Sequence, residues 1–254
     1  MSDLGQTPLA ERVNQLLQNH RSIRKYKPDP VPDTVLEEII RSAQSASTSS
    51  NVQAYSVIAV TDPAMKKALA AVAGNQVHVE QCPVLLVWCA DLYRDKLACD
   101  KEQTEMVSGT TENLLIATID TALAAQNAAI AAESFGLGIV YIGGLRNDAR
   151  EVTRLLKLPQ LVYPVFGMCI GYPDHESGKR PRLPMKAVLH RETYQQEVQR
   201  EAIDEYDAVM REYYLKRTKG VRDTTWSREM ADKFRRPARA YLREYLEEQG
   251  FRLE

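Results

Sequence analysis

The feature that most constrains the fold is the long apolar segment 110–135, in which small side chains face nearly every direction of a helix. It contains eight alanines: Ala117, Ala122, Ala124, Ala125, Ala128, Ala129, Ala131 and Ala132. A helix that is apolar nearly all round is buried, and alanine lets a neighbouring backbone approach closely. We therefore predict one long helix, at the centre of the core or at a subunit interface, that ends at Gly136-Leu137-Gly138.

Helical and extended patterns alternate on both sides of this segment, up to residue 171. Apolar residues spaced by three and four positions predict helices at 9–19, 34–46, after Pro63, and at 148–156. Apolar runs bounded by turn residues predict strands at 55–60, 84–90, 139–142 and 162–171. This alternation indicates an α/β or α+β sheet with helices on its faces.

The sequence changes character after Pro184. Two charge-rich helices are predicted at 194–216 and 228–249, and no strand is predicted there. A segment of about 70 residues buries little core on its own. We therefore predict a core domain, 1–184, and a helical extension, 185–254, that packs on the core and on a partner subunit. Between Lys216 and Arg243 the extension carries ten basic residues and three acidic ones.

Charge and cysteine usage narrow the functional classes. The net charge of the chain is −1, which gives no overall attraction to nucleic acid. The four cysteines form no C-x-x-C pair and the four histidines lack metal-ligand spacing, so neither a disulfide framework nor a metal site is expected. The first twelve residues are polar and mixed, unlike a signal peptide. We expect a soluble, cytoplasmic protein without a membrane partner.

Four short segments carry groups that could bind a small anion. The run 20–24 offers two arginines, a serine and a histidine, and arginine is a rigid donor fork for phosphate. The segment 47–51 offers small hydroxyl and amide donors, and Arg180-Pro181-Arg182 forms a second basic cluster. Gly143-Gly144 follows a predicted strand, where a flat ring could approach the backbone. Solvated basic turns, or tight turns of ordinary structure, remain alternatives for each segment.

Several signatures of other enzymes are absent from the sequence. It contains no G-x-G-x-x-G, no P-loop, no G-x-S-x-G, and no evident nucleophile with a matching base. If the protein is an enzyme, the reactive group is therefore expected to belong to a bound cofactor, which the protein orients and tunes.

Taken in order, five motifs resemble one known family. They are N-H-R-S-I-R-K-Y at 19–26, S-A-S-T-S-S-N-V-Q at 45–53, G-N-Q-V-H-V at 74–79, A-A-E-S-F-G-L-G-I-V-Y-I-G-G-L-R-N at 131–147 and R-P-R-L-P at 180–184. The set resembles the nitroreductase superfamily, in particular its oxygen-insensitive NADPH nitroreductases and flavin reductase P group. The resemblance extends from about residue 12 to residue 250.

The resemblance implies an α+β sandwich with a central mixed sheet flanked by helices. It also implies a homodimer with FMN at the subunit interface, and C-terminal helices that reach the partner subunit. The implied activity is an FMN-dependent NADPH oxidoreductase with ping-pong hydride transfer through FMN N5. NADH is a second candidate reductant, and the implied acceptors are free flavins, nitroaromatics, quinones or similar oxidants.

The resemblance implies site residues by position. The FMN-binding set is His20, Arg21, Ser22, Arg24, Thr48, Ser50, Gln76, Tyr141, Ile142, Gly143, Gly144, Leu145, Arg180 and Arg182. In this set the basic residues hold the phosphate and ribityl end, and residues 141–145 follow the ring. A Gly143 or Gly144 N–H near N5 would stabilise negative charge there. The set for NADPH and acceptor is Asn51, Arg217, Arg222 and Arg236.

Two other functional classes stay open at this point. A non-catalytic flavin-binding or nucleotide-binding module would use the same phosphate-binding segments. A nucleic-acid-binding protein would use the basic extension, which lacks a zinc, helix-turn-helix or RNA-platform signature. No protein side chain is assigned a catalytic role, and the sequence does not name the electron acceptor.

Overall fold

The computed structural model describes residues 7–175 and 177–251, which divide into two compact units. The first unit runs to Ser177 and takes in residues 239–251, and the second is Gly178–Ala238. The first unit contains, in chain order, α1 (Pro8–Gln18), α2 (Asp33–Gln44), β1 (Tyr55–Val60), α3 (Pro63–Val72), α4 (Val77–Gln81), β2 (Val84–Asp91), α5 (Tyr93–Lys101), α6 (Thr111–Ser134), β3 (Gly138–Ile142), α7 (Ala149–Leu156) and β4 (Val162–Gly171). The second unit contains α8 (Val198–Arg217) and α9 (Trp226–Phe234), and α10 (Leu242–Glu248) returns to the first unit.

The four strands form one sheet in the order β1-β2-β4-β3, and every neighbouring pair is antiparallel. Within the described residues, parallel pairing is limited to an isolated bridge between Ser22 and Ile139. The α+β class is therefore confirmed, while the expected mixed sheet is an antiparallel sheet with one parallel bridge. β2 is buried along its whole length because helices cover both faces of the sheet.

The predicted long helix is confirmed as α6, which covers one face of the sheet together with α2. The Thr110 hydroxyl caps its first turn by accepting the Asn113 N–H at 3.2 Å. Within the described chain, α6 alone is long and apolar enough to cross a membrane, a property it shares with core helices of soluble proteins. Its alanine face is buried, but Leu115, Ile119 and Leu123 remain exposed.

The other face of the sheet packs on α3, α4 and α7, and the C-terminal residues close one end of the first unit. Tyr245 and Phe251 are fully buried in that end cluster. The structural division thus differs from the predicted boundary after residue 184. The second unit begins at Gly178, and residues 239–251 belong with the first unit because these two aromatic side chains are buried in its core.

The prediction of a single helix at 228–249 is wrong. The chain instead forms α9 and α10, separated by residues 235–241. Pro237 lies in this break, and proline removes a backbone donor and clashes with the preceding turn of a helix. Arg239 has a left-handed φ of 54°, which also ends helical geometry. Two short helices, α4 and α5, were not predicted.

Candidate functional site

The basic segment 20–24 is held in an extended conformation at the edge of β3. Ser22 bridges Ile139, and the Ile23 N–H donates to the Ile139 carbonyl at 2.9 Å. The Ile23 side chain is buried over Gly138, where a Cβ would come within 2.5 Å of Ile23 Cγ1. In extended chain, successive side chains point to opposite sides. Ser22 and Arg24 therefore face away from the side that Ile23 occupies.

Arg21 lies on the same side of the segment as Ile23. Both residues line a cavity of about 310 Å³ together with Glu133 and His175. Arg21 thus borders this cavity and Arg24 does not. The shared phosphate site of the two arginines stays a prediction.

His20 is engaged by a carboxylate on α6. Its Nδ1 lies 2.6 Å from Glu133 Oε1, and both side chains are partly buried. This contact fixes the orientation of the imidazole and occupies one of its two nitrogens. Glu133 stands in the quoted motif 131–147, but no role was predicted for it.

The polar loop that precedes β1 has an unusual backbone. Ser50, Asn51 and Gln53 have φ values of 47°, 60° and 57°, in the left-handed region that costs energy for residues other than glycine. The Ser49 N–H donates to Asp120 Oδ1 at 2.9 Å, and the Ala54 N–H donates to Asp120 Oδ2 at 3.1 Å. One carboxylate from α6 thus holds both ends of the loop.

No role was predicted for Asp120, which lies within the apolar segment 110–135. A charged residue in such a segment is itself a sign of a specific role. A carboxylate in the middle of a buried helix must find hydrogen-bond donors or pay a large desolvation penalty, and Asp120 is 0% exposed. What the sequence lacked was the location of those donors, about 70 positions away along the chain.

The two glycines after β3 have different surroundings. A Cβ at Gly144 would lie 2.7 Å from the Ala73 carbonyl oxygen and 2.8 Å from Gln76 Nε2. A Cβ at Gly143 would meet nothing closer than an Arg146 guanidinium nitrogen at 3.5 Å. Gly144 is therefore required by close packing on the turn between α3 and α4. Gly143 has free space at its Cβ position, which Gly144 lacks.

We predict that Gly144→Ala destabilises the fold by about 1–3 kcal/mol, because the added methyl overpacks against backbone. Gly143→Ala is the matched control and should unfold close to wild type, since its new methyl meets only a flexible side chain. Neither glycine has a positive φ, so backbone strain does not separate the two variants. Urea unfolding of both proteins checks the prediction, and equal stability losses would contradict it.

The structure brings Gln76 beside Gly144. Gln76 Nε2 donates to the Ala73 carbonyl at 2.7 Å, which leaves its Oε1 as an acceptor. Ile142 and Leu145, two of the residues predicted to follow the ring, are buried in the core with exposed fractions of 1% and 0%. The Tyr141 hydroxyl donates to Gln126 Oε1 at 3.3 Å, and its ring packs edge-on against Phe166.

His78, two positions after Gln76, was not predicted as a site residue. Its Nε2 is buried and has no hydrogen-bond partner among the described residues. Burial, and after it the positive charge of Arg24, lowers the pKa of His78. Arg24 is therefore close enough to act on the imidazole electrostatically. A buried ring nitrogen without a partner is costly, and a bound polar group would remove that cost.

The second unit presents the remaining predicted arginines. Arg180 and Arg182 are exposed, and Arg182 Nη1 donates to the Arg180 carbonyl at 3.1 Å. The Tyr206 hydroxyl donates to the Pro181 carbonyl at 2.8 Å. Burial raises the pKa of Tyr206, and the charges of Arg182 and Arg180 act against that rise. Tyr206, buried on α8, thus fixes the backbone between the two arginines.

Arg217 and Arg222, at the end of α8 and in the loop after it, differ in their partners. Arg217 Nη1 donates to the Tyr213 hydroxyl at 2.6 Å. Arg222 forms an ion pair with Glu229 on α9 and lies over the Tyr214 ring at 4.5 Å. The charge of Arg222 is therefore already compensated by a carboxylate.

The loop that carries Arg222 is secured by an ion pair. Arg211 binds Asp223 there through two hydrogen bonds of 2.6 and 2.8 Å. Arg236 is exposed in the segment between α9 and α10. Asn51, the predicted acceptor-side residue, is exposed in the strained loop, with its side chain 3.4 Å from Gln53 Nε2.

Comparison with known proteins gives matches along the chain. A model of the nitroreductase family matches residues 17–172, and a model of the C-terminal domain of that family matches residues 180–254. An FMN reductase (NADPH) of Bacillus subtilis is 46% identical over 237 residues, which are 92% of this chain and 95% of that protein. An oxygen-insensitive NADPH nitroreductase of Salmonella typhimurium is 43% identical over 237 residues, covering 93% and 97% respectively.

Solved structures give the same result. NfrA1 of B. megaterium aligns with a TM-score of 0.93 and 45% identity, covering 94% of this chain and 99% of that one. The NADPH:FMN oxidoreductase of Vibrio harveyi, complexed with NAD+, aligns with a TM-score of 0.86 and 38% identity, covering 94% and 98%. The likeness thus spans nearly the full length of this chain and of its relatives.

Proposed function

The chain belongs to the nitroreductase family, and on this premise we propose that it is an FMN-dependent NADPH oxidoreductase. Its acceptors are free flavins, nitroaromatics, quinones or similar small oxidants. The observation that carries this conclusion is similarity over more than nine-tenths of the chain to an FMN reductase (NADPH) and to an NADPH nitroreductase. Those activities belong to the relatives. For this chain, its own side chains and backbone groups give separate support.

The first unit has groups that fit FMN. Ser22 and Arg24 share one side of the extended segment and supply a hydroxyl and a guanidinium for the phosphate. His78 offers a buried Nε2 that lacks a partner in the described structure and lies within electrostatic reach of Arg24. Gly143 has free space at its Cβ position, where a flat ring could approach. A phosphate-bearing planar ligand would use all of these groups together.

When bound, FMN supplies hydride transfer between NADPH and the acceptor. The residues of the chain would then bind the flavin, orient it and polarise its ring. Gly143 offers a backbone N–H, and such a donor stabilises negative charge that develops on a ring nitrogen. The loop with Thr48 and Ser50 supplies hydroxyl donors for the ribityl chain or the ring edge. No side chain has to act as nucleophile or general base in this scheme.

We assign flavin binding to residues 1–184 and nicotinamide nucleotide binding to the extension 185–254. Arg217, Arg222 and Arg236 give the extension the positive charge that the additional phosphate of NADPH requires. NADH lacks that phosphate, so these residues favour NADPH. We further assign the enzyme to the cytoplasm, without a membrane or nucleic-acid partner.

We also propose a homodimer. α1 packs against α6, and each helix exposes large apolar side chains at intervals of four residues, which places them on one face. These side chains are Leu9, Val13 and Leu17 on α1, and Leu115, Ile119 and Leu123 on α6. Soluble monomers rarely expose a contiguous apolar surface of this kind. A second copy of the chain is the occupant that the family assembly favours.

Ile119→Glu should convert the dimer to monomers, because it places a charge in the middle of the apolar face of α6, where burial without a partner is costly. Sedimentation velocity measures the change. The control is Leu97→Glu on α5, which is exposed to a similar extent outside that face. A wild-type monomer, or a variant that remains dimeric, would contradict the proposed interface.

The test of the function is the visible absorption spectrum of the purified protein before and after anaerobic addition of NADPH. We expect a flavin spectrum that bleaches, followed by steady NADPH oxidation once a dye acceptor is present. Bleaching without steady turnover would indicate a flavin-binding module that is not a catalyst. A protein that stays colourless after incubation with FMN would refute the proposed cofactor.

A further inference from the structure

Asp120 is a buried carboxylate that the proposed phosphate-binding groups do not explain. It lies in the middle of α6 and is 0% exposed. An ionised carboxylate in such a place is stable only when hydrogen bonds replace the water it has lost. The described structure gives it two such bonds, and both come from the loop that precedes β1.

These bonds span the loop. Oδ1 accepts the Ser49 N–H at 2.9 Å and Oδ2 accepts the Ala54 N–H at 3.1 Å. Ala54 is fully buried, so its N–H has no access to water as a substitute partner. Asp120 therefore satisfies the first and last backbone donors of the segment with the two oxygens of a single group.

The segment between these two bonds is strained. Three of its residues, Ser50, Asn51 and Gln53, adopt left-handed φ values. Such a conformation is unfavourable for a residue other than glycine and persists only where the surrounding structure enforces it. Within the loop, the Val52 N–H bonds to the Ser49 carbonyl at 2.8 Å, which makes one tight turn. Outside the loop, Arg94 Nη2 donates to the Gln53 carbonyl at 3.3 Å and the Asp91 N–H donates to the Ala54 carbonyl at 3.0 Å. Asp120 is the group that accepts the N–H donors at both ends.

We propose that Asp120 is a positioning residue that holds loop 49–53 in this strained conformation, so that its hydroxyl and amide groups are presented to the bound flavin. The proposal rests on the proposed function, because the strained loop has this role only when a flavin binds beside it. Asp120 does not touch the ligand in this scheme. It acts through the backbone of Ser49 and Ala54, and relaxation of the loop would move Ser50 and Asn51 away from the flavin.

The geometry requires a carboxylate rather than an amide. Both oxygens of Asp120 face N–H donors, whereas an asparagine would turn its own NH₂ group toward one of them. The neighbouring Thr121 is satisfied without Asp120, because its hydroxyl bonds to the Ala117 carbonyl at 2.7 Å. Asp120→Asn should therefore leave α6 folded and disturb the loop selectively.

The experiment compares Asp120→Asn and Asp120→Ala with Asp62→Asn in the full-length holoenzyme. Asp62 is the control, because its carboxylate also accepts a backbone N–H, from Met65 at 2.7 Å, but it caps the start of α3 and has no bond to the loop in the described structure. The readouts are the dissociation constant of FMN, the visible circular dichroism of the bound flavin, and kcat and KM for NADPH.

We expect both Asp120 variants to bind FMN about tenfold more weakly, the effect of one lost hydrogen bond to a charged group. The flavin dichroism should change and kcat should fall more than KM rises. Asp62→Asn should keep the FMN affinity and the flavin dichroism of wild type. Tight FMN binding with unaltered dichroism in Asp120→Asn overturns the proposal, and so does an equal change in Asp62→Asn.

If the variants do not fold, hydrogen exchange of the wild-type protein still tests the proposal. The Ser49 and Ala54 amides should be protected both with and without FMN, because Asp120 rather than the flavin accepts them. Rapid exchange of both amides would overturn the anchoring. A wild-type protein that binds no flavin would instead refute the proposed function, while protection of these two amides would still be observed.

Discussion

Arg24→Ala is expected to weaken FMN binding by about 10- to 100-fold and to leave riboflavin binding unchanged. Arg24 is exposed on the free side of the extended segment 20–24, so its loss creates no cavity in the core. A hydrogen bond to a charged group contributes about 1.5–3 kcal/mol, which corresponds to the stated range. Riboflavin lacks the phosphate and should not sense the substitution. Quenching of flavin fluorescence during titration of the apoprotein measures both dissociation constants.

Lys25→Ala is the matched control for this experiment. Lys25 is an adjacent exposed cation, and its backbone carbonyl accepts the Asp174 N–H, a bond that the substitution retains. Its removal should change FMN affinity little, because exposed charges that are not in contact with the ligand are screened by salt. Equal weakening in both variants would show a general loss of positive charge and would reject the specific phosphate contact. Equal weakening for riboflavin would place Arg24 at the ring.

Arg217→Ala is expected to raise KM for NADPH by about 10- to 100-fold and KM for NADH far less, by the same phosphate argument. Arg217 donates to the Tyr213 hydroxyl, which orients the guanidinium. No carboxylate of the described residues lies within ion-pair distance of it. Initial-rate kinetics with both nucleotides give the ratio, and inhibition by 2′,5′-ADP against ADP gives an independent measure of the phosphate contact.

Arg222→Ala should have a smaller effect than Arg217→Ala. The Arg222 guanidinium is paired with Glu229, so a nucleotide phosphate must compete with that carboxylate and gains less from the contact. Lys219→Ala, an exposed cation in the same loop, is the control for general electrostatic attraction. Equal rises in KM for NADPH and NADH after loss of Arg217 would remove it from the phosphate site.

Much of the fold was predictable from local pattern. The alanine-rich run of α6 and the continuous apolar run of β2 each indicated a buried element, and both are confirmed. Their signals lie within one segment and do not depend on distant residues. The prediction failed at 228–249, where charge-rich helical spacing concealed a break at Pro237. Helix propensity in that region was outweighed by the missing donor of a single residue.

Candidate site segments were also predictable, but the direction of each side chain was not. The basic run 20–24 suggested one phosphate site, and the structure adds that Arg21 and Ile23 line a cavity that Arg24 does not border. The paired glycines suggested two equivalent positions, whereas only Gly144 is crowded by the turn between α3 and α4. Both distinctions depend on elements that are far apart in the sequence.

By itself, the sequence determined the family, the α+β class, the cofactor class and the segments that carry the chemistry, because residue type and local spacing encode these properties. Only the tertiary structure decided which side chains work together. It paired Asp120 with a loop about 70 positions earlier, set Glu229 against Arg222, and left an apolar face of α6 uncovered. Hydrogen bonds between distant segments, and the burial of their side chains, follow from the packing of whole helices and strands. No local sequence pattern predicts them.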